Sequence, residues 1–301
     1  MRDRLALTLR RLPTCSKGDV MESYLVGLIG SGIGPSLSPP LHEQEAAHHG
    51  LHYVYRLLDI DRVGADLGEL VRTARRFGYD GLNVTHPCKQ DIIPFLDELS
   101  PDARMLGAVN TVVFDGDRAI GHNTDWTGFA ESFARGLPDA PARRVVQLGA
   151  GGAGAAVAHA LLTMGADRIT LVDADLARAT TLAGELAARF GAGRARPADA
   201  AQLPELLAQA DGLVHATPTG MAHHPGMPLP GELLRPELWV ADIVYRPLRT
   251  ELLEQARALG CRTLDGGGMV VFQAVHAFRL FTGQEPDTER MLAHLTDLVS
   301  V

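Results

Sequence analysis

The sequence predicts an α/β protein built from two units, the first on a mixed sheet and the second on a parallel one. Three observations predict it. Short apolar runs alternate with amphipathic helical stretches along 301 residues, a length that suggests about two domains at roughly 150 residues each. Two of the runs meet in an Asp115-Gly116-Asp117 turn, so one hairpin interrupts the otherwise parallel pairing of the first unit. Beyond a Pro-containing linker at 136–144, Ala and Gly dominate, and a glycine-rich turn joins an apolar run to an Ala-rich helix.

Each element has its reason. SYLVGLIG (23–30) reads as a first strand, and LSPPLHEQEAAHHG (37–50) as a helix entered at a Ser-Pro stop and ended by Gly50. HYVYRLLDI (52–60) is a second strand, and DLGELVRTARRFG (66–78) an amphipathic helix closed by Gly78. GLNVTHP (81–87) alternates as a third strand until Pro87 stops it, because proline removes a ladder donor. QDIIPFLDEL (90–99) is expected as a helix kinked or restarted at Pro94, and 108–125 as the hairpin. In the second unit, VVQL, ITLVD, GLVHAT, LWVADIVY and CRTLD are strands, LRTELLEQARALG is a helix between the last two, and two helices finish the chain from Met269 and Thr288.

Composition bounds the function. Hydrophobic residues make up 46% and charged residues 21% of the chain, an ordinary globular balance. A formal charge of −8 argues against a nucleic-acid partner, which demands a basic face. No apolar run approaches the roughly 18 residues of a membrane span. Cys15, Cys88 and Cys261 are odd in number and far apart, which fits reduced thiols and a cytoplasmic location. Residues 1–22 carry four arginines and only a short apolar patch, and are expected to be a flexible tail rather than a signal peptide.

Gly149, Ala150, Gly151, Gly152, Ala153 and Gly154 satisfy G-x-G-x-x-G between a strand and a helix. Glycines there allow a tight turn and let a pyrophosphate approach the backbone N–H groups at the helix start. The next strand ends in Asp173, 24 residues after Gly149, close to the roughly 20 expected for a ribose-binding acid. The strand–turn–helix–strand–acid unit predicts a Rossmann-like dinucleotide site. Asp173 favours NAD, because a carboxylate accepts from ribose hydroxyls and repels a 2′-phosphate. Asp175 adds negative charge and 174–177 hold no Arg or Lys; Arg178 reads as an exposed first-turn residue. NADP is the less favoured cofactor.

One stretch asks for a ligand. In GLNVTHPCKQ (81–90), Asn83, Thr85 and Lys89 cluster at a strand end. Together with Ser36-Leu37-Ser38-Pro39, Gly107-Ala108-Val109-Asn110-Thr111, Gly121-His122-Asn123-Thr124-Asp125, the GAGGAG turn, Ala216-Thr217-Pro218-Thr219-Gly220-Met221, and Leu264-Asp265-Gly266-Gly267-Gly268-Met269 with Gln273, the ordered set resembles the shikimate/quinate dehydrogenase family, and its NAD-using branch in particular. The resemblance runs from about Tyr24 to the C-terminus. It implies a substrate domain from 23–125 and 266–301, a Rossmann-like domain over 126–265, and a cleft between them that closes by hinge motion. It further implies that Lys89 and Asp125 form the catalytic pair. Ser36 and Ser38, with Tyr245, would hold a substrate carboxylate; Asn83, Thr85, Asn110 and Gln273 would contact the carboxylate or ring hydroxyls; Thr217 and Met269 would border the nicotinamide. The implied reaction is NAD-dependent oxidation of shikimate to 3-dehydroshikimate, with quinate a possible second substrate, in a monomer or homodimer.

The chemistry suits these residue types. Oxidising a secondary alcohol sends a hydride to nicotinamide and a proton to the protein, and the developing negative charge on oxygen needs a nearby cation. Taken singly, each residue has a structural alternative: Lys89 a solvated loop charge, Asp125 a helix N-cap, Ser36 and Ser38 turn residues, Asn110 and Thr111 partners for a strand end, Gln273 a helix hydrogen bond. Their joint placement at strand ends favours one ligand. A different class also fits, a non-catalytic metabolite sensor, as does a quinate- or amino-analogue-preferring enzyme. No metal is expected: His42, His48, His49 and His52 lack H-E-x-x-H spacing. Cys88 reads as cleft lining, His86 and His122 as flanking the site. His215 departs from the Asn the family often carries there, and Ser38 stands where some quinate-accepting members carry Thr.

Overall fold

The structure, a computed structural model, describes residues 22–299; the expected tail (but for Glu22) and Cys15 lie outside them. The chain opens with β1 (Ser23–Gly30), α1 (Ser38–His48), β2 (His52–Asp59), a single turn α2 (Ile60–Val63), α3 (Leu67–Arg76) and β3 (Gly81–Val84). It continues through β4 (Glu98–Leu99), α4 (Pro101–Leu106) and the hairpin β5 (Thr111–Asp115) and β6 (Arg118–His122). These strands form one sheet in the order β2-β1-β3-β5-β6-β4. β2, β1 and β3 are parallel, while β5 runs antiparallel to β3 and β6. The sheet is mixed because Gly116, at φ 58°, makes the tight hairpin turn.

After α5 (Asp125–Gly136) the second sheet is built from β7 (Arg144–Leu148), α6 (Gly152–Thr163), β8 (Arg168–Val172), α7 (Leu176–Phe190), β9 (Ala195–Ala198), α8 (Leu203–Gln209), β10 (Gly212–His215), β11 (Trp239–Asp242), α9 (Glu251–Ala258) and β12 (Thr263–Leu264). Its order is β12-β11-β10-β7-β8-β9, parallel throughout. The direction of winding reverses between β7 and β10, so a crevice opens beyond their carboxyl ends, where ligands of such sheets bind. One face is covered by Phe129, Val157, Leu161 and Leu186 of α5, α6 and α7, the other by Leu207 of α8 and Leu252 and Leu253 of α9.

Two last helices, α10 (Gly267–Thr282) and α11 (Thr288–Val299), return to the first sheet. Ala277 and Phe281 of α10 pack with Val26 and Tyr55, and Val271 and Val275 pack with Leu41 and Leu295. α10 crosses α5 closely. A Cβ on Gly128 would stand 2.8 Å from the Gln273 nitrogen, and one on Gly268 would stand 2.2 Å from Ser132 Oγ, so only glycine permits the approach.

The structure corrects several expectations. The helix expected at 90–99 is a 3-10 turn, Ile93–Phe95, followed by β4. Pro94 limits helix continuation, and the Asp97 carboxylate accepts from the Ala119 N–H at 2.7 Å, drawing the segment onto the edge of the sheet. Asp125 is the first residue of α5 rather than its cap; Thr124 occupies the cap position. β9 was not expected; it contains Pro197 and pairs only with β8 at the sheet edge, where proline is tolerated. α2 and α4 were not expected either, although Ser100 caps α4 by accepting from Ala103 N–H at 3.2 Å.

Candidate active site

Lys89 and Asp125, 36 residues apart in sequence, meet: Lys89 Nζ donates to Asp125 Oδ2 at 2.6 Å. The backbone dictates this. β3 ends at Val84, three residues before Pro87, the buried side chain of Cys88 anchors the turn in the core, and Val109 N–H donates to the Lys89 carbonyl at 2.8 Å. Lys89 is thereby fixed beside the start of the hairpin, with its side chain free to cross to the start of α5. The side chains of Lys89 and Asp125 are 17% and 9% exposed, so the pair is shielded yet reachable from the cleft. A Cβ on Gly152 would lie 3.9 Å from Lys89 Cδ, which puts the ammonium stem alongside the glycine-rich turn.

A directed hydrogen-bond chain backs the carboxylate. Tyr55 hydroxyl donates to Asn83 Oδ1 at 2.7 Å, Asn83 Nδ2 to Thr111 Oγ1 at 3.1 Å, Thr111 Oγ1 to Asn110 Oδ1 at 3.0 Å, and Asn110 Nδ2 to Asp125 Oδ1 at 2.9 Å. Every donor in this series points towards Asp125. Because the groups are buried, each bond costs more to lose than it would in water. Burial raises the Tyr55 hydroxyl pKa well above its ordinary value, with Ser38 acting in the opposite sense, so Tyr55 stays a neutral donor. Asn110 Oδ1 also accepts from Thr124 N–H at 2.8 Å, and Thr124 Oγ1 donates to the Gln273 carbonyl at 3.1 Å. α10 is thus tied to the same network.

At the second sheet, Gly149 has φ +100° and a Cβ there would stand 2.4 Å from the Ala216 carbonyl oxygen; a Cβ on Gly154 would stand 2.3 Å from the Gly149 oxygen. Gly151 faces open space, and α6 starts at Gly152 with no side-chain cap. Its first N–H groups, including that of Ala153, are available to an anion. Asp173 follows β8 and accepts from Ala150 N–H at 2.7 Å and from Asp175 N–H at 2.9 Å. Arg178 Nη1 comes within 4.0 Å of Asp173 Oδ1, the oxygen that takes the Asp175 N–H. The donor set and the Cβ-free cradle fit a dinucleotide pyrophosphate and ribose. Thr217 stands over the turn, its Cγ2 3.0 Å from a Cβ built on Gly149.

The remaining candidates come from the segments after β1, β3 and β11 and from α10. Ser36 Oγ accepts from Ser38 N–H at 3.2 Å. Arg246, next to Tyr245, donates to the carbonyl of Pro35, next to Ser36, at 2.6 Å, which brings the segment after β11 against the serine loop. Burial raises the Tyr245 hydroxyl pKa. Thr85 packs on Gly30, where a Cβ would stand 2.4 Å from its Cγ2. Gln273 Nε2 donates to the Val270 carbonyl at 2.9 Å, and Met269 is buried in the core shared by α5 and the second sheet.

Known proteins were compared with this chain. A model described as the shikimate dehydrogenase substrate binding domain matches residues 28–112, one described as the shikimate 5'-dehydrogenase C-terminal domain matches 266–296, and one described as the saccharopine dehydrogenase NADP binding domain matches 145–223. A protein of Streptomyces avermitilis named shikimate dehydrogenase (NADP(+)) is 69% identical over 92% of this chain and 96% of its own. The chain belongs to the shikimate/quinate dehydrogenase family. A second relative, named quinate/shikimate dehydrogenase (NAD(+)), from Corynebacterium efficiens, is 51% identical over 92% of this chain and 99% of its own. The structure of quinate dehydrogenase from Corynebacterium glutamicum in complex with NAD superposes with a TM-score of 0.89, at 47% identity, over 92% of this chain and 99% of that one.

Sequence reasoning missed three members of the hydrogen-bond network behind Asp125: Tyr55, Thr111 as a relay and Thr124. Tyr55 carried a readable signal, since it shares the inward face of β2 with Tyr53 and a buried tyrosine needs a partner. Cys88 is not the cleft-lining residue expected: it is buried in the core of the first sheet, and burial, then Asp91, raises its thiol pKa. His122 lines, with Asp102, His276 and Arg279, a hollow of about 200 Å³ that also reaches Thr124, and burial lowers its pKa. His42 is enclosed by Tyr53, Tyr55, Phe278 and Phe281. Among the described residues no group of three or more His, Cys, Asp or Glu is placed to hold a metal, and no helix is long and apolar enough to cross a membrane.

Proposed function

We propose that this protein is a shikimate dehydrogenase that uses NAD, oxidising the ring alcohol of shikimate reversibly and accepting quinate as a second substrate. The observation that carries the reading is the Lys89–Asp125 pair, 2.6 Å apart and beside the glycine turn. Residues 23–125 and 266–301 form the substrate domain in this reading, and 126–265 the cofactor domain. A bound nicotinamide supplies the hydride acceptor. The chain's own part is to hold and move the proton: the pair shares one exchangeable proton between an amine and a carboxylate, takes up the alcohol proton on oxidation and returns it on reduction. The Lys89 charge offsets negative charge developing on oxygen, and Asp125, fixed by Asn110, keeps Lys89 in place.

Ser36, Ser38 and Tyr245 receive the ring carboxylate, while Asn83, Thr85, Asn110 and Gln273 meet the ring hydroxyls or the carboxylate. These are neutral donors and acceptors, which give direction without burying another charge. The sensor alternative has no use for a lysine–aspartate pair of this geometry. NAD is supported by Asp173, whose carboxylate is held at the end of β8 by two backbone N–H groups and would repel a 2′-phosphate. The reading with NADP has its own observation, Arg178 at 4.0 Å from Asp173, and several relatives carry NADP in their names.

The test is a panel of shikimate and quinate, each with NAD and with NADP, scored by kcat/KM. Highest turnover with shikimate and NAD is expected. Turnover only with NADP would overturn the cofactor choice, higher kcat/KM with quinate the substrate choice, and none with any combination the enzyme reading.

A further inference from the structure

His215, at the end of β10, faces Asp242 directly across the β10–β11 pairing. Both are buried, at 0% and 2% exposure. Asp242 is an acceptor with its oxygens engaged: Oδ1 takes His215 Nδ1–H at 2.9 Å and Val244 N–H at 3.0 Å, and Oδ2 takes the Thr250 hydroxyl at 2.7 Å. Oδ1 already takes the Val244 N–H, so it stands as the acceptor and the proton between His215 and Asp242 sits on Nδ1. The other ring nitrogen, Nε2, faces the Thr217 hydroxyl; a ring whose one proton is on Nδ1 accepts there.

Such a ring sets the polarity of Thr217. Its proton goes to His215, and one lone pair lies towards Thr219 N–H at 3.3 Å. The other remains as an acceptor on a half-buried side chain that stands over Gly149 at the point where the winding of the sheet reverses. We propose that His215 is a positioning residue for the cofactor: it commits the Thr217 hydroxyl as a hydrogen-bond acceptor for an N–H donor, the carboxamide of the nicotinamide. The proposal rests on the dinucleotide reading above and assigns a task to the residue at which this chain departs from the resemblance. Asparagine at 215 is shorter, and it cannot span Asp242 and Thr217 as the imidazole does.

The experiment uses the full chain and the variants His215→Asn, Thr217→Val, Thr217→Ser and His215→Asn/Thr217→Val. Calorimetry measures affinity for the dinucleotide the wild type prefers and for its ADP-ribose fragment (2′-phosphorylated if that is NADP), which lacks the nicotinamide; kcat and KM are measured alongside. Loss of one hydrogen bond should weaken dinucleotide binding by about tenfold in His215→Asn and Thr217→Val. Binding of the fragment should stay within about twofold, Thr217→Ser should keep wild-type affinity, and the double variant should match Thr217→Val, because His215 acts only through Thr217. Dinucleotide affinity unchanged in both single variants would overturn the proposal. So would fragment affinity falling in step, which marks collapse of the turn, or additive losses in the double variant. If His215→Asn does not fold, Thr217→Val against Thr217→Ser still decides whether the hydroxyl is read. A wild type that binds neither ligand would remove the cofactor reading itself, and this proposal with it.

Discussion

Tyr55→Phe removes a single oxygen from the far end of the chain that leads to Asp125. The lost bond is the 2.7 Å donation to Asn83 Oδ1, and Tyr55 and Asn83 are 4% and 6% exposed. No cavity of consequence is left, so the cost comes from an acceptor stranded away from water, about 1–3 kcal/mol. Asn83 also loses the contact that fixes which way its amide points. If the amide turns, Nδ2 no longer feeds Thr111, and the series through Asn110 to Asp125 slackens. Urea unfolding should therefore show a loss of about 1–2 kcal/mol with unchanged m-value, and kcat/KM should fall by about tenfold, the equivalent of one hydrogen bond of about 1.4 kcal/mol. Tyr55→Phe/Asn83→Leu should be less destabilised than the sum of the single variants, because it strands no acceptor. Wild-type stability together with wild-type kcat/KM in Tyr55→Phe would refute the relay.

The His42 ring is buried, with Nε2 lacking a partner, and burial lowers its pKa to about 3. The unfolded chain takes up a proton near pH 6.5 that the folded chain refuses until about pH 3, so stability falls as pH drops through that window, by about 2 kcal/mol between pH 6.5 and 5. Urea melts at pH 8 and 5 should show His42→Phe losing less of its stability on acidification than wild type; an equal loss in both would count against the assignment. Gly149→Ala forces a side chain onto φ +100° and to within 2.4 Å of the Ala216 carbonyl. It should cost at least about 3 kcal/mol by urea melting, and a variant of wild-type stability would contradict the described turn.

Much of the fold could be read because its periodicities are strong. β1 and the hairpin fell where the alternation put them, and the glycine turn announced the second sheet. What could not be read depended on tertiary contacts. The segment after Lys89 looks helical alone, but the Asp97–Ala119 bond holds it at the sheet edge. β9 exists only because β8 offers it a partner. In the site, Lys89, Asp125, Asn83 and Asn110 stand out as polar residues at strand ends. Tyr55 hides in an apolar strand, and the partners of His215 depend on a strand register that no local pattern encodes.

The most direct measurement of the central claim is the steady-state kinetics of Lys89→Met with shikimate and NAD, with folding followed by circular dichroism. Methionine keeps the length and packing of the stem and removes the charge and the exchangeable proton. The pair's role in proton transfer predicts a fall in kcat of about 10²–10⁴-fold, with KM for shikimate changed by less than about fivefold. A folded Lys89→Met protein whose kcat stays within about threefold of wild type would contradict the account.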